Sequence, residues 1–212
     1  DMKQYNKAED YYLQALSIYR QISKGDDSLR IAETLANLAD NYNDMKKYNK
    51  AADYYLQVLS MFRQISQGAD SMEIAKTLNN LGRNYSYMKQ YDKAEDYYLQ
   101  ALSMNRQITQ GADSVDIAKT LNNLANNYRH MKQYDKAEKY YLRALSRYRK
   151  ISQGAYSLEI ANTLCNHGNN YHSAGNEIRA SEVWGQALDI YIRLDPTNPN
   201  IERIQNYLSS SH

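Results

Sequence analysis

A 43-residue period constrains this chain more than any single motif. TLANLADNY at 34–42, TLNNLGRNY at 77–85, TLNNLANNY at 120–128 and TLCNHGNNY at 163–171 are four versions of one stretch. Their closing residues, Tyr42, Tyr85, Tyr128 and Tyr171, are each 43 apart. Met2, Met45, Met88 and Met131 keep the same step, and so do Gly25, Gly68, Gly111 and Gly154. A period of this size makes each unit one supersecondary element, which buries its apolar face only by stacking on neighbours. The two prolines, Pro196 and Pro199, lie late in the chain, so no proline breaks a helix before them.

Each unit reads as two helices. Ile74, Leu78, Leu81, Gly82 and Tyr85 fall on one α-helical face. Asp70 and Ser71 suit an N-cap, with Glu73 in the first turn. A turn at Met88-Lys89-Gln90 leads to a second stripe of Tyr91, Ala94, Tyr98, Ala101, Leu102 and Ile108. That helix is expected to stop near Gly111 in a left-handed cap. Small residues mark close helix approach: Ala39, Gly82, Ala125 and Gly168 on the first helices, Ala51, Ala94, Ala137 and Ala180 on the second. Tyr55, Tyr98, Tyr141 and Trp184 are expected to fill the space beside them. Most of the 22 tyrosines therefore read as scaffold.

The fold class expected is all-α, a right-handed superhelical solenoid of helix-turn-helix repeats. Residues 1–27 read as the second helix of a truncated repeat. Residues 28–70, 71–113 and 114–156 are full repeats, 157–195 is the last, and 196–212 is a capping helix and tail. The opening helix, Tyr5 to about Lys24, is expected to expose a flank that promotes self-association.

The order Leu-x-x-Leu-Gly/Ala-x-x-Tyr followed by Tyr-x-x-Ala-x-x-x-Tyr-x-x-Ala-Leu resembles the tetratricopeptide repeat. Leu78, Leu81, Gly82, Tyr85, Ala94, Tyr98 and Ala101 carry it. The long period, the TLNNLA-Y segment and the KxYxKAExYYxxAL segment are similar to the arrays of kinesin light chains and nephrocystin-like proteins. The resemblance implies a non-enzymatic adaptor for a peptide, acidic with an apolar anchor. Two positions depart from the pattern, so the last repeat, 157–195, is expected to pack more loosely or to be atypical because it lies near the end. His167 stands where Leu38, Leu81 and Leu124 do, and Asn105 replaces the aromatic of Tyr19, Phe62 and Tyr148.

Chemistry-bearing constellations are sparse. The formal charge of +2 argues against a nucleic-acid surface. No apolar run reaches membrane-spanning length. One cysteine, Cys165, fits a reducing, cytoplasmic compartment. His130, His167, His172 and His212 show no metal-ligand spacing, and the glycines form no phosphate loop. No catalytic residue, metal or cofactor is expected.

A peptide groove is the better candidate. With the apolar stripe of each first helix turned inward, the opposite face carries Lys76, Asn79, Asn80, Arg83 and Tyr87 in one repeat. The next carries Lys119, Asn122, Asn123, Asn126, Arg129 and His130, and the last Asn162, Cys165, Asn166 and Asn169. The first carries Glu33, Ala36, Asn37, Asp40 and Asp44. Amides both donate and accept, as a peptide backbone requires. The absence of a lysine among Ala36, Asn79, Asn122 and Cys165 argues against a chaperone-type carboxylate clamp. Asn41, Asn84, Asn127 and Asn170 recur in every repeat and are expected to tie neighbours together, because a need shared by all repeats is structural. An architectural or self-associating segment of a larger protein is the alternative function.

Overall fold

The computed structural model describes residues 2–22 and 28–210. The expected end of the opening helix at Lys24, its cap at Gly25, and His212 lie outside the described residues. Those described form ten α-helices and no strand, so the fold class is all-α: α1 (Met2–Ile22), α2 (Ser28–Asp44), α3 (Tyr48–Ile65), α4 (Met72–Tyr87), α5 (Tyr91–Ile108), α6 (Val115–His130), α7 (Tyr134–Ile151), α8 (Leu158–Ser173), α9 (Glu177–Leu194) and α10 (Pro199–Ser210). The chain divides into two compact units, Asp1–Gln110 and Gly111–His212.

In the first unit α2 pairs with α3 and α4 with α5, while α1 packs on α2 and α3 on α4. Its core gathers Leu35, Leu38, Tyr42, Tyr55, Phe62, Leu78 and Leu81. In the second unit α6 pairs with α7 and α8 with α9, α7 packs on α8, and α10 lies on α9. Its core gathers Leu145, Ile160, Leu164, Trp184, Tyr191 and Ile204. Each pair puts two apolar stripes face to face, which is why neither helix of a pair is stable alone.

Local chemistry sets the helix ends. Ser71, Ser114 and Ser157 each accept from the backbone N–H three residues on, at 3.2 Å. Serine, not the preceding Asp70, is the cap. Second helices stop sooner than the glycine alone suggests. Gly68, Gly111 and Gly154 have φ near +83°, and the glutamine before each, Gln67, Gln110 and Gln153, is also left-handed at about +51°. Lys46, Lys89 and Lys132, in the turn inside each repeat, hold φ near +59°; Gly175 takes this place in the last repeat.

The small positions are tight. A Cβ on Gly82 would come within 2.7 Å of the Tyr98 ring, and one on Gly168 within 2.4 Å of the Trp184 indole. The expectation of looser packing around His167 is corrected. Its ring is 3% exposed and lies between Tyr141 and Tyr171, with centroids 5.5 and 4.5 Å away. Burial lowers its pKa to about 4, only partly opposed by Glu138, so the imidazole packs as a neutral aromatic. Asn105 is buried as well.

Tyr42 and Tyr171, at equivalent places near the ends of their first helices, tie neighbouring repeats together. The Tyr42 hydroxyl donates to Glu9 at 2.6 Å, and that of Tyr171 to Glu138 at 2.5 Å. Burial, then the glutamate, pushes the Tyr171 phenol up to about 12 and Tyr42 higher.

Candidate functional site

The second helix of each repeat aims one large aromatic at a single position on the first helix. Asp40, Arg83, Asn126 and Asn169 occupy that position. Tyr55 donates its hydroxyl to Asp40 Oδ1 at 2.6 Å, and Arg83 Nη2 donates to the same oxygen at 3.0 Å. Tyr141 donates to Asn126 Oδ1 at 2.7 Å. Trp184 Nε1 donates to Asn169 Oδ1 at 3.3 Å and to the Cys165 carbonyl at 3.2 Å. Residues that vary from repeat to repeat on the expected groove thus serve the scaffold first: Asp40, Asn126 and Asn169 accept from a buried aromatic, and Arg83 donates to Asp40.

Exposure sorts the expected peptide-binding residues. Lys76, Tyr87, Lys119, His130 and Asn162 are exposed. Asn80, Arg83, Asn122, Asn123, Asn126, Arg129, Asn166 and Asn169 are half-buried. Asn79 is buried at 6% exposure and Cys165 at 2%, so neither opens to solvent. The helical projection misplaces them because it knows only one helix. Within the second unit this helix position meets the helix that follows: Asn122 Oδ1 on α6 accepts from Asn166 Nδ2 on α8 at 3.3 Å, and Cys165 Sγ on α8 accepts from Arg203 on α10.

Several of the others are occupied. Asn162 accepts from the Tyr191 hydroxyl at 2.6 Å. Arg129 and His130 meet at 3.4 Å, and burial followed by the Arg129 charge lowers the His130 pKa. Tyr87 lies against Tyr48, ring centroids 5.4 Å apart, a contact that repeat alignment does not show because Tyr48 sits on the preceding helix. Within the first unit, the exposed Lys76, the half-buried Asn80 and the Tyr48–Tyr87 pair share α4 and the start of α3. Within the second, Lys119, Asn122, Asn123, Asn162 and Asn166 share α6 and α8.

The recurring asparagines are all buried. Asn41 Nδ2 donates to the Tyr5 carbonyl and Asn170 Nδ2 to the Tyr134 carbonyl, both at 3.1 Å; each target lies in the first turn or so of the second helix of the preceding repeat. Asn84 Nδ2 donates to Asn43 Oδ1 at 3.2 Å. Asn127 is buried beside Met131, 3.7 Å from its sulfur. Amides here supply donors inside an apolar contact.

Among the described residues, no group of three His, Cys, Asp or Glu converges as a metal site would require. His172 faces Glu177 at 2.9 Å and packs on Trp184 and Tyr207. Cys165 Sγ accepts from Arg203 on α10 at 2.9 Å, and burial pushes the thiol up. None of the described helices is long and apolar enough to cross a membrane.

The tetratricopeptide repeat family matches residues 1–64, 62–107 and 116–207. The chain belongs to this family. Tetratricopeptide repeats are in general protein–protein interaction scaffolds without catalytic activity. Among solved structures, BtubC (BKLC) from P. vanneervenii is similar at 25% identity and a TM-score of 0.76, over 92% of this chain and 76% of that one. A Podosopora anserina protein described as a kinesin light chain, with nearly identical TPR-like repeats, shares the fold at 15% identity and a TM-score of 0.69, over 92% and 90%. MamA shares it at 20% identity and a TM-score of 0.57, over 91% and 96%. No curated protein matches the chain.

Proposed function

We propose that this tetratricopeptide chain is a non-enzymatic adaptor that holds a peptide segment, acidic with an apolar anchor, on its first-helix faces. A cytoplasmic setting belongs to the same reading. The observation that carries it is α4: exposed Lys76 lies three turns from the Tyr48–Tyr87 pair, with the Asn80 amide between them. A carboxylate at one end, backbone hydrogen bonds in the middle and an apolar side chain on the tyrosines match that order. Lys119 with Asn122, Asn123 and Asn166 repeats the cation-and-amide part on the second unit. Arg83 takes a smaller part than its sequence position suggests, because Asp40 already pairs with it.

The test is fluorescence anisotropy of acidic peptides that carry one apolar residue, against the intact chain and Lys76→Glu, Lys119→Glu and Tyr87→Ala variants. Each variant is expected to weaken binding about fivefold to tenfold, with a salt dependence for the lysines. Unchanged affinity in all three removes the reading.

A self-associating role is the second reading, and one contrast favours it. Tyr54 and Tyr97 stack on Tyr42 and Tyr85 at 5.4 and 5.3 Å, whereas Tyr11, at the same position of α1, is 69% exposed. Ile18 and Leu13 are exposed on the same helix. Light scattering across concentration tests it, and a mass that stays monomeric sinks it.

A further inference from the structure

The tyrosine at the end of each first helix sits in a recurring constellation. At Tyr42, Lys50 Nζ lies 5.2 Å from the ring centroid and the Glu9 carboxylate accepts a hydrogen bond from the hydroxyl. At Tyr171, Arg179 lies 5.6 Å from the ring centroid and Glu138 accepts a hydrogen bond from the hydroxyl. Phenol, cation and glutamate therefore come together in each of these contacts. The glutamate always comes from the second helix of the preceding repeat.

Tyr85 has the first two parts and lacks the third. Lys93 Nζ lies 5.4 Å from its ring centroid, and Tyr97 stacks on it. The glutamate position is Ala52: KYNKAAD stands where the other repeats have AED or AEK. Alanine has no acceptor to offer the Tyr85 hydroxyl. A cleft of ≈ 430 Å³ opens beside Tyr85 between α3 and α5, starting one turn along α3 from the buried Ala52 and lined among others by Tyr85, Tyr97, Lys93, Arg63, Leu56 and Asp96. Tyr42 and Tyr171 are buried; Tyr85 is only partly so.

We propose that this cleft binds a glutamate side chain of a partner protein, which supplies in trans the carboxylate that Ala52 omits. The protein itself supplies the template, since Glu9 and Glu138 show the pose of the occupant at Tyr42 and Tyr171. Charge agrees with it. Arg63 and Lys93 give two positive charges against the one negative charge of Asp96, which suits a singly charged carboxylate better than a dianion. The Leu56 side chain, 39% exposed, gives the methylenes of a glutamate an apolar wall. This cleft lies between second helices, so it is separate from the first-helix face, and either reading stands or falls alone.

The experiment follows the Tyr85 ring by NMR in tyrosine-labelled protein, its signals identified from the spectrum of Tyr85→Phe. Hexaglutamate is the probe and hexaglutamine the control. Hexaglutamate is expected to shift the Tyr85 signals saturably, and hexaglutamine to leave them in place. Ala52→Glu, which restores the internal partner, is expected to weaken the response about tenfold and to raise the melting temperature. Lys93→Gln, at an exposed position, is expected to weaken it about threefold and decides the matter if Ala52→Glu does not fold. Lys76→Glu is expected to leave it unchanged. A Tyr85 ring that does not respond overturns the proposal. So does a response equal in Ala52→Glu, Lys93→Gln and the parent, or one abolished by Lys76→Glu alone.

Discussion

The two units solve one packing problem with different chemistry. Each must give a hydrogen-bond acceptor to the polar atom of a buried aromatic on its second helices. The first unit uses a carboxylate, Asp40, which Tyr55 and Arg83 share. The second uses amides, Asn126 for Tyr141 and Asn169 for Trp184. A carboxylate accepts strongly but carries a charge to be compensated, and Arg83, 43 residues later at the same helix position, compensates it. An amide accepts with no such need, so the second unit is left neutral there. The same backbone thus tolerates a charged or a neutral row, and the choice sets how the surface responds to salt and pH.

The largest expected effect separates the aromatics themselves. Gly168→Ala drives a methyl to 2.4 Å from the Trp184 indole and is expected to cost about 3 kcal/mol in denaturant unfolding. Gly82→Ala meets the Tyr98 ring at 2.7 Å, yet Ala39 and Ala125 already face tyrosines at that position. Its expected cost is about 1 kcal/mol. Equal losses would break the contrast between Trp184 and the tyrosines.

Acid is expected to act on the second unit through His167. The folded pKa of about 4 lies below the ordinary 6.5, so the unfolded chain binds the proton more readily. This contribution is whole above pH 6.5 and is lost as pH falls toward 4, by up to roughly 3 kcal/mol. Hydrogen exchange of α8 amides between pH 7 and 4.5 measures it. His167→Leu, the residue of Leu38 and Leu81, is expected to flatten that dependence; an unchanged slope would assign it to other groups.

Salt sharpens the comparison on a smaller scale. Asp40→Ala removes the acceptor of Tyr55 and the partner of Arg83, and is expected to cost about 1–2 kcal/mol at low salt. Asn126→Ala removes only an acceptor, at about 1 kcal/mol. Because Asp40 and Arg83 are partly solvated, the first loss is expected to shrink in 1 M salt, which cuts the screening length to about 3 Å, while the second holds. Thermal melts at two salt concentrations distinguish them.

The smallest effect lies in the turns. Lys89 holds φ of 59° where Gly175 holds 78°. Lys89→Gly is expected to stabilise the first unit by about 0.5 kcal/mol, and Gly175→Ala to destabilise the second by about 1 kcal/mol. Equal signs in the two melts would show that these turns are not equivalent.

Much of this was legible in the repeated letters. Leu78, Leu81, Gly82 and Tyr85 announce a first helix, Ala94, Tyr98 and Ala101 a second, and invariant Asn84 marks a shared contact. The candidate site was legible only in part. Asn79 and Cys165 read as groove residues on a single helix but are buried. Arg83 reads as a cation for a partner, yet its acceptor lies 43 residues back. Helical projection ranks side chains about one axis and cannot say which flank a neighbouring helix covers. The Ala52 exception was present in the letters AAD against AED; its meaning waited for the Tyr42–Glu9 hydrogen bond.

By itself the sequence determined the all-α class, the helix pairs and the glycines under Tyr98 and Trp184, because these follow from local geometry and a periodic apolar stripe. Only the tertiary structure decided which polar side chains stay in water, that His167 packs as a neutral ring, and that Tyr85 stands beside an open cleft. Those outcomes depend on distances between residues about 33 to 44 apart in the chain, and such distances exist only once the repeats are stacked.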